Sequence, residues 1–552
     1  MSTSTRRPRQ LVALALSAAV LLSACGGDGS DKAGDSGPKR AASADGKGPE
    51  SSKPAPAAVT VLIRKSIDSF DPHRTLGEDG AQQFMLFLYD TMVRRTLDGN
   101  IEPGVATSWK LLPEGQAPTS AVFTIRDGLK CADGTPLGAA EVARSFERYA
   151  REGSGAAQVF GPAGAKSITA DPSAKTVTLE LNGPNNDILT GLAFNGEIVC
   201  PAGLDAPDSM QSTAPAGSGP YTLRPGFKKD DEYVLQRRDD YVALPEGTKI
   251  SDLPKVVSLK LVTEDTTAAD VVEKNANTIA SILSTDAERL MEDGDLVSVP
   301  AAAYGTNALT FNQRKGEPFS DPALRRGVAA LIDSVQGGNA ETQRLGNPIR
   351  TLYTENIDCY AAGDEKALPA YDPEAAAKAL DEAGYRKGAN GFRTKPDGAP
   401  LKVRIVGDHT QFKAPEYMAQ ALREGGFDVD LKVGVRSESY ARFFVGDYDL
   451  GSYPFIAPIP LPSLYYNQVA GSGPLDNLPK IDNSKYADLA ARAWAAAPDS
   501  KERCDLWQQA ERALLEQADT VPMDQPVKYW FGNGLTFDAA YFKIDPFTIR
   551  AA

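Results

Sequence analysis

Two histidines and five cysteines bound the chemistry open to this chain. His73 and His409 lie far apart, so an HExxH zinc helix cannot form. Cys131, Cys200, Cys359 and Cys504 include no CxxC pair. There is no GxSxG nucleophile elbow and no GxxxxGK[ST] phosphate loop. Aspartate and glutamate total 73, which leaves paired-carboxylate hydrolysis open but unsupported. The chain therefore reads as a binding protein that needs no metal and no cofactor, with a secreted hydrolase as the minor alternative.

Cys25 is the residue with the clearest chemistry. Arg6, Arg7 and Arg9 precede the uncharged run 11–22 (LVALALSAAVLL), and Leu22-Ser23-Ala24-Cys25 follows. A basic segment, a short apolar segment and small residues before a cut site form an export signal. The run is about half of the ~20 residues a spanning helix needs. Its ending resembles the bacterial lipoprotein pattern, in which the cysteine is diacylated and becomes the first residue. Two acyl chains anchor stably where one is marginal. The expectation is a signal peptide over 1–24 and an extracytoplasmic protein held at the membrane through Cys25. The Gly/Ser/Ala/Pro composition of 25–58 is read as a flexible tether.

Net charge is −14, and residues 1–24 carry three arginines and no acid, so the mature chain is more acidic still. Nucleic-acid binding, which needs basic patches, is excluded as a reading. Without Cys25, four cysteines remain, with three possible pairings. Keeping each pair within one half of the chain favours Cys131–Cys200 and Cys359–Cys504; four free buried thiols are the alternative.

The elements that must position a site alternate along the body. Strands are expected at 59–63, 121–125, 176–181, 401–406 and 429–433. Helices are expected at 84–93, 139–150 and 415–424, and after the caps Asp321-Pro322, Asp372-Pro373 and Ser500. The strand–helix–strand run over 401–433 implies a parallel pair with a right-handed crossover. The fold class is α/β, in two or three domains.

Several segments carry a family resemblance: SFDPH at 69–73, LYDTMV at 88–93, EPGVATSW at 102–109, FTIRDGLKCADGTPLGAAEVARSFER at 123–148, GSGPYTL at 217–223, FNQRKGEPFSDPALRRGVAALID at 311–333, YDPEAAAKALDEAGY at 371–385 and GDYDL at 446–450. In this order they resemble the family 5 extracellular solute-binding proteins of bacterial ABC importers, which include oligopeptide, dipeptide and nickel binders. The resemblance implies a two-lobed, type II periplasmic-binding-protein-like fold. Lobe I would comprise 59–95, 205–308 and 520–552, with an extra domain at 96–204, and lobe II would be 309–519. It implies a monomer that captures a small solute, most simply an oligopeptide or peptide-like one, and passes it to permease and ATPase subunits. A signalling lipoprotein on the same fold is a further alternative.

Peptide-binding members hold the ligand's α-amino group with an aspartate shortly after the segment matching Tyr448-Asp449-Leu450. Here 451–466 reads GSYPFIAPIPLPSLYY and contains no acid. A buried ammonium without a partner is costly, so a capped peptide, a sugar or another neutral solute suits this stretch better. Candidate ligand contacts by position are His73, Glu78, Tyr304, Asn307, Tyr453 and Phe455.

Overall fold

The computed structural model describes residues 45–552 apart from 76–78, 212, 412, 472–475 and 499. Cys25, the signal peptide, most of the tether and Glu78 lie outside the described residues. Among the described residues no helix is long and apolar enough to cross a membrane.

Two mixed sheets organise the body. The first has seven strands in the order Leu296–Ala302, Val527–Asn533, Thr278–Ile282, Ala58–Ile63, Val256–Leu261, Glu232–Arg237 and Tyr221–Leu223. Ala58–Ile63 runs parallel to both of its neighbours. Its alternation sends Val59, Val61 and Ile63 into one core and Leu62 into the core on the opposite face. A strand covered on both faces reads as an unbroken apolar run, as VTVLI does.

The second sheet has six strands in the order Asn347–Pro348, Thr520–Gln525, Tyr304–Phe311, Leu450–Ala457, Lys402–Asp408 and Asp428–Gly434. Lys402–Asp408 and Asp428–Gly434 pair in parallel around the helix Ala414–Glu424, as the sequence pattern requires. Asp321, Asp372 and Ser500 each cap a helix with a side-chain oxygen. A four-stranded antiparallel sheet, Ala106–Leu112, Ser120–Ile125, Thr176–Leu181 and Ala165–Asp171, forms the extra domain against the helix Ala139–Glu152. Val142, Phe146 and Tyr149 of that helix are all buried.

The chain crosses between the two large sheets at Ala303 and at Pro526. Strands Tyr304–Phe311 and Thr520–Gln525 both belong to the second sheet. The boundaries expected at 308/309 and 519/520 therefore move, because each crossing strand is continuous with its sheet up to one linking residue. The two crossings are joined: Ala303 N–H donates to the Pro526 carbonyl at 2.8 Å. Asn356 Nδ2 caps the carbonyls of Ala302 and Ala303 at 3.1 and 3.3 Å. These hydrogen bonds tie the two crossings together.

Two other expectations change. The apolar run 84–93 is not one helix. The helix is Asp79–Leu88, and 93–95 is a strand. Gly219 N–H binds the Leu88 carbonyl at 2.9 Å, and a Cβ on Gly217 would lie 1.9 Å from that oxygen. The GSGPY segment thus occupies the space the next helical turn needs. The last part of the proposed tether is also docked. Asp45 bridges Ala301, Gly46 N–H binds Pro300 O at 2.9 Å, and Ala55 N–H binds Asp252 O at 2.9 Å. Cβ atoms on Gly46 and Gly48 would lie 1.9 and 2.1 Å from backbone oxygens. Glycine here serves close approach, which composition cannot tell from flexibility.

Candidate functional site: a clasped cavity between the lobes

A cavity of about 360 Å³ lies where the main part of lobe I, the extra domain and lobe II meet. Lobe I supplies Met85, Leu86 and Arg94, and the hairpin Ala539–Ala540 with Lys543–Ile544. The extra domain supplies Tyr149, Phe194, Asn195 and Glu197. Lobe II supplies Tyr304, Pro458 and Ile459.

The lobes are clasped beside this cavity by two arginine–carboxylate pairs. Arg95 Nη2 donates to Asp358 Oδ1 at 2.6 Å across the lobes. Arg503 of lobe II pairs with Asp187 of the extra domain, which also accepts from Ser463 Oγ. Asn186 Nδ2 donates to the carbonyls of Trp494 and Ala496, both at 2.7 Å. Burial raises the Asp358 carboxyl, while Arg95 and Arg503 pull it down. The disulfide Cys359–Cys504 joins the residues next to Asp358 and Arg503, so the lobe II half of the clasp is covalently braced. A second disulfide, Cys131–Cys200, lies inside the extra domain.

Of the residues expected to contact ligand, Tyr304 lines the cavity. Tyr453 and Phe455 do not. Alternation along Leu450–Ala457 turns both toward helices of lobe II, where Phe455 is fully buried and Tyr453 packs at an angle against the rings of Tyr440, Phe443 and Phe455. The cavity is reached only beyond the strand's end, at Pro458 and Ile459. Asn307 Nδ2 binds Asp524 Oδ1 at 3.1 Å inside lobe II.

His73 lies behind the wall with no exposed surface. Its Nδ1 accepts from Arg148 at 3.2 Å, and its Nε2–H donates to the Glu197 carbonyl at 2.9 Å, which fixes the tautomer. Arg148 in turn clamps Asp71 with both terminal nitrogens. SFDPH is thus a strut between lobe I and the extra domain. Burial and the Arg148 guanidinium outweigh the acceptor at Glu197 O and push the imidazole down to about 4, so it is neutral at pH 7.

Sequence reasoning missed Glu197 and Lys543. Glu197 faces the cavity; crowding by protein pushes its carboxyl up to about 7, opposed by its own backbone N–H and by Lys543. Lys543 Nζ sits 4.5 Å above the Phe194 ring. Desolvation lowers its pKa, opposed by Glu197 and then Asp545. An acid in the apolar stretch 196–200 (GEIVC) was the available signal for Glu197. Nothing local marks Lys543, whose place depends on a hairpin formed at the far end of the chain.

A two-lobed α/β body hinged at two strand crossings, with a cavity at the junction, has the geometry of a receptor that encloses its ligand. The sequence profile described as "Bacterial extracellular solute-binding proteins, family 5 Middle" matches residues 100–477. The chain belongs to the family 5 extracellular solute-binding proteins. It is 26% identical over 463 residues to the probable D,D-dipeptide-binding periplasmic protein DdpA of Escherichia coli, covering 79% of this chain and 82% of that one. A substrate-binding protein from Microbacterium hydrocarbonoxydans, solved with 4-hydroxybenzoate hydrazide, superposes with a TM-score of 0.70 at 28% identity, over 90% of this chain and 100% of that one. A dipeptide-binding protein from a Pseudoalteromonas species, solved with Met-Leu, gives a TM-score of 0.70 at 19% identity over 90% and 100% of the two chains, and shares the fold.

Proposed function

We propose that this protein is an extracytoplasmic lipoprotein, anchored through Cys25, that captures a small solute between its lobes and hands it to the permease of an ABC importer. The observation that carries this reading is the cavity itself: three domains contribute to it, and the ion pairs that clasp the lobes lie beside it. Closure of this kind stabilises the ligand-bound state by population shift and presents a distinct closed shape to a membrane partner. No chemistry on the solute is required for this role.

Cavity size narrows the ligand. Small-molecule sites run from about 300 to 1,000 Å³, so about 360 Å³ holds a dipeptide-sized solute rather than a long peptide. The relatives' ligands define the panel to try: D,D-dipeptides, other dipeptides and 4-hydroxybenzoate hydrazide. The hydrazide gives the second reading, a compact aromatic solute, which Phe194, Tyr149 and Tyr304 on the walls favour. A thermal-shift screen of this panel, followed by mass spectrometry of the recovered ligand, tests the reading. A hit recovered unchanged supports binding; a hydrolysed product would point to the enzyme alternative. Cell fractionation of Cys25→Ala tests the anchor, with release from the membrane fraction as the expected result.

A further inference from the structure

Resting on the solute-binding reading, we propose that a small zwitterion is read at both charged ends by lobe I, through Glu197 and Lys543, while lobe II closes an uncharged lid over it.

The cavity contains three cations, Arg94, Arg95 and Lys543. Arg94 is taken up by Tyr241 Oη at 2.9 Å and by the Ala243 carbonyl, and it lies over the Phe547 ring. Arg95 is committed to Asp358. Lys543 has no ion-pair partner within 4 Å, and neither has the Glu197 carboxylate, among the described residues. Among the acids, Glu197 acts most strongly on Lys543, ahead of Asp545. The two are therefore near neighbours that stop short of contact. A charge in a dry site is costly unless it is paired. A ligand carrying an ammonium and a carboxylate supplies both missing partners at once, each through a charge-assisted hydrogen bond.

Both groups stand on rigid supports, as an aiming pair needs. His73 holds the Glu197 carbonyl, and Ile198 N–H is bound to Asp90 O at 2.8 Å. Buried Gln83 grips the Lys543 hairpin: its Oε1 accepts from Ile544 N–H at 2.8 Å and its Nε2–H donates to Ile544 O at 3.4 Å. Lobe II contributes Tyr304, Pro458 and Ile459 to the cavity and no charge. The acid missing from 451–466 is thus supplied from the opposite lobe.

Calorimetric titration of the purified full-length protein tests this with Met-Leu, N-acetyl-Met-Leu, Met-Leu amide, free leucine and 4-hydroxybenzoate hydrazide. Met-Leu and leucine separate dipeptide from amino acid as the source of the zwitterion. The wild type is expected to bind a free zwitterion at least tenfold more tightly than the acetylated or amidated form. Glu197→Gln is expected to erase the penalty for acetylation, and Lys543→Met the penalty for amidation. Glu197→Asp and Lys543→Arg, which keep the charges, are expected to retain part of each. Each comparison is made within one variant, so a general loss of affinity or stability does not imitate the result. Equal binding of free and capped forms by the wild type, or penalties unchanged in the variants, overturns the proposal. Binding of the hydrazide alone would overturn it while leaving the solute-binding reading intact; binding of nothing in the panel would remove both.

Discussion

Arg95 Nη2 and Asp358 Oδ1 meet at 2.6 Å beside the cavity, joining a strand of lobe I to the disulfide-braced turn of lobe II. Arg95 is 9% exposed and Asp358 32%, so the pair is shielded from water on one side and open on the other. Such a contact is worth more than a surface ion pair and less than a buried one.

Breaking this pair opens the lobes. Arg95→Ala is expected to cost about 1–2 kcal/mol of ligand affinity, roughly five- to thirtyfold. Asp358→Asn should cost about the same, and the double variant little more than either one. Titration with a panel solute measures the affinities, and small-angle scattering measures the opening. Strictly additive losses would show that the two residues do not act on each other.

The Cys359–Cys504 disulfide holds the residues beside Asp358 and Arg503. Replacing both cysteines with serine is expected to cost about 2–5 kcal/mol of stability. It should also weaken ligand binding, because the clasp loses its brace. Chemical denaturation and titration of the same variant separate the two effects; unaltered affinity would show that the brace acts on folding alone.

Buried His73 stays neutral down to about pH 4, against 6.5 for an ordinary imidazole. Between those values the unfolded chain takes up a proton that the folded chain does not. This contribution to stability is therefore present above pH 6.5 and lost as pH falls toward 4, amounting to about 2 kcal/mol by pH 5. His73→Gln should be less stable than wild type at pH 7, yet should lose about 2 kcal/mol less between pH 7 and 5. Urea denaturation at the two pH values checks this.

Glu197 gives ligand binding its own pH dependence. Burial pushes its carboxyl up to about 7, opposed by its own backbone N–H and by Lys543. Only the ionised form holds a cation, so affinity for an ammonium-bearing ligand should fall about tenfold from pH 8 to pH 6. The same ligand with its amine acetylated should show no such fall, and neither should Glu197→Gln with the free amine.

Much of the fold was legible because local signals and tertiary structure agree. Caps at Asp321, Asp372 and Ser500 start helices where the sequence puts them, and VTVLI is a doubly covered strand. The exceptions arose where a distant backbone decides. The helix through 84–93 stops at Leu88 because GSGPY packs against it, and 45–57 lie on lobe I because two glycines admit close contact. The site was less legible for the same reason. Tyr304 could be placed from the lobe crossing, but strand alternation turns Tyr453 and Phe455 away, and His73 supports the wall from behind. Glu197 and Lys543 come from segments that nothing in the sequence brings together.

Docking of 45–57 has its own consequence. A chain beginning at residue 45 should melt with the full-length protein. One beginning at residue 58 loses the contacts to Pro300, Asp252 and Ala551 and should melt several degrees lower. Calorimetry of the two chains decides between a free and a docked segment.

The cavity is expected to close on a small solute. Calorimetric titration of the wild type with the dipeptide and hydrazide panel, repeated with Arg95→Ala, tests it most directly. One solute is expected to bind per chain, with a rise in melting temperature when that solute is in excess and roughly five- to thirtyfold weaker binding in the variant. Absence of binding by every solute, with none copurifying, or binding unaffected by loss of Arg95, would contradict it.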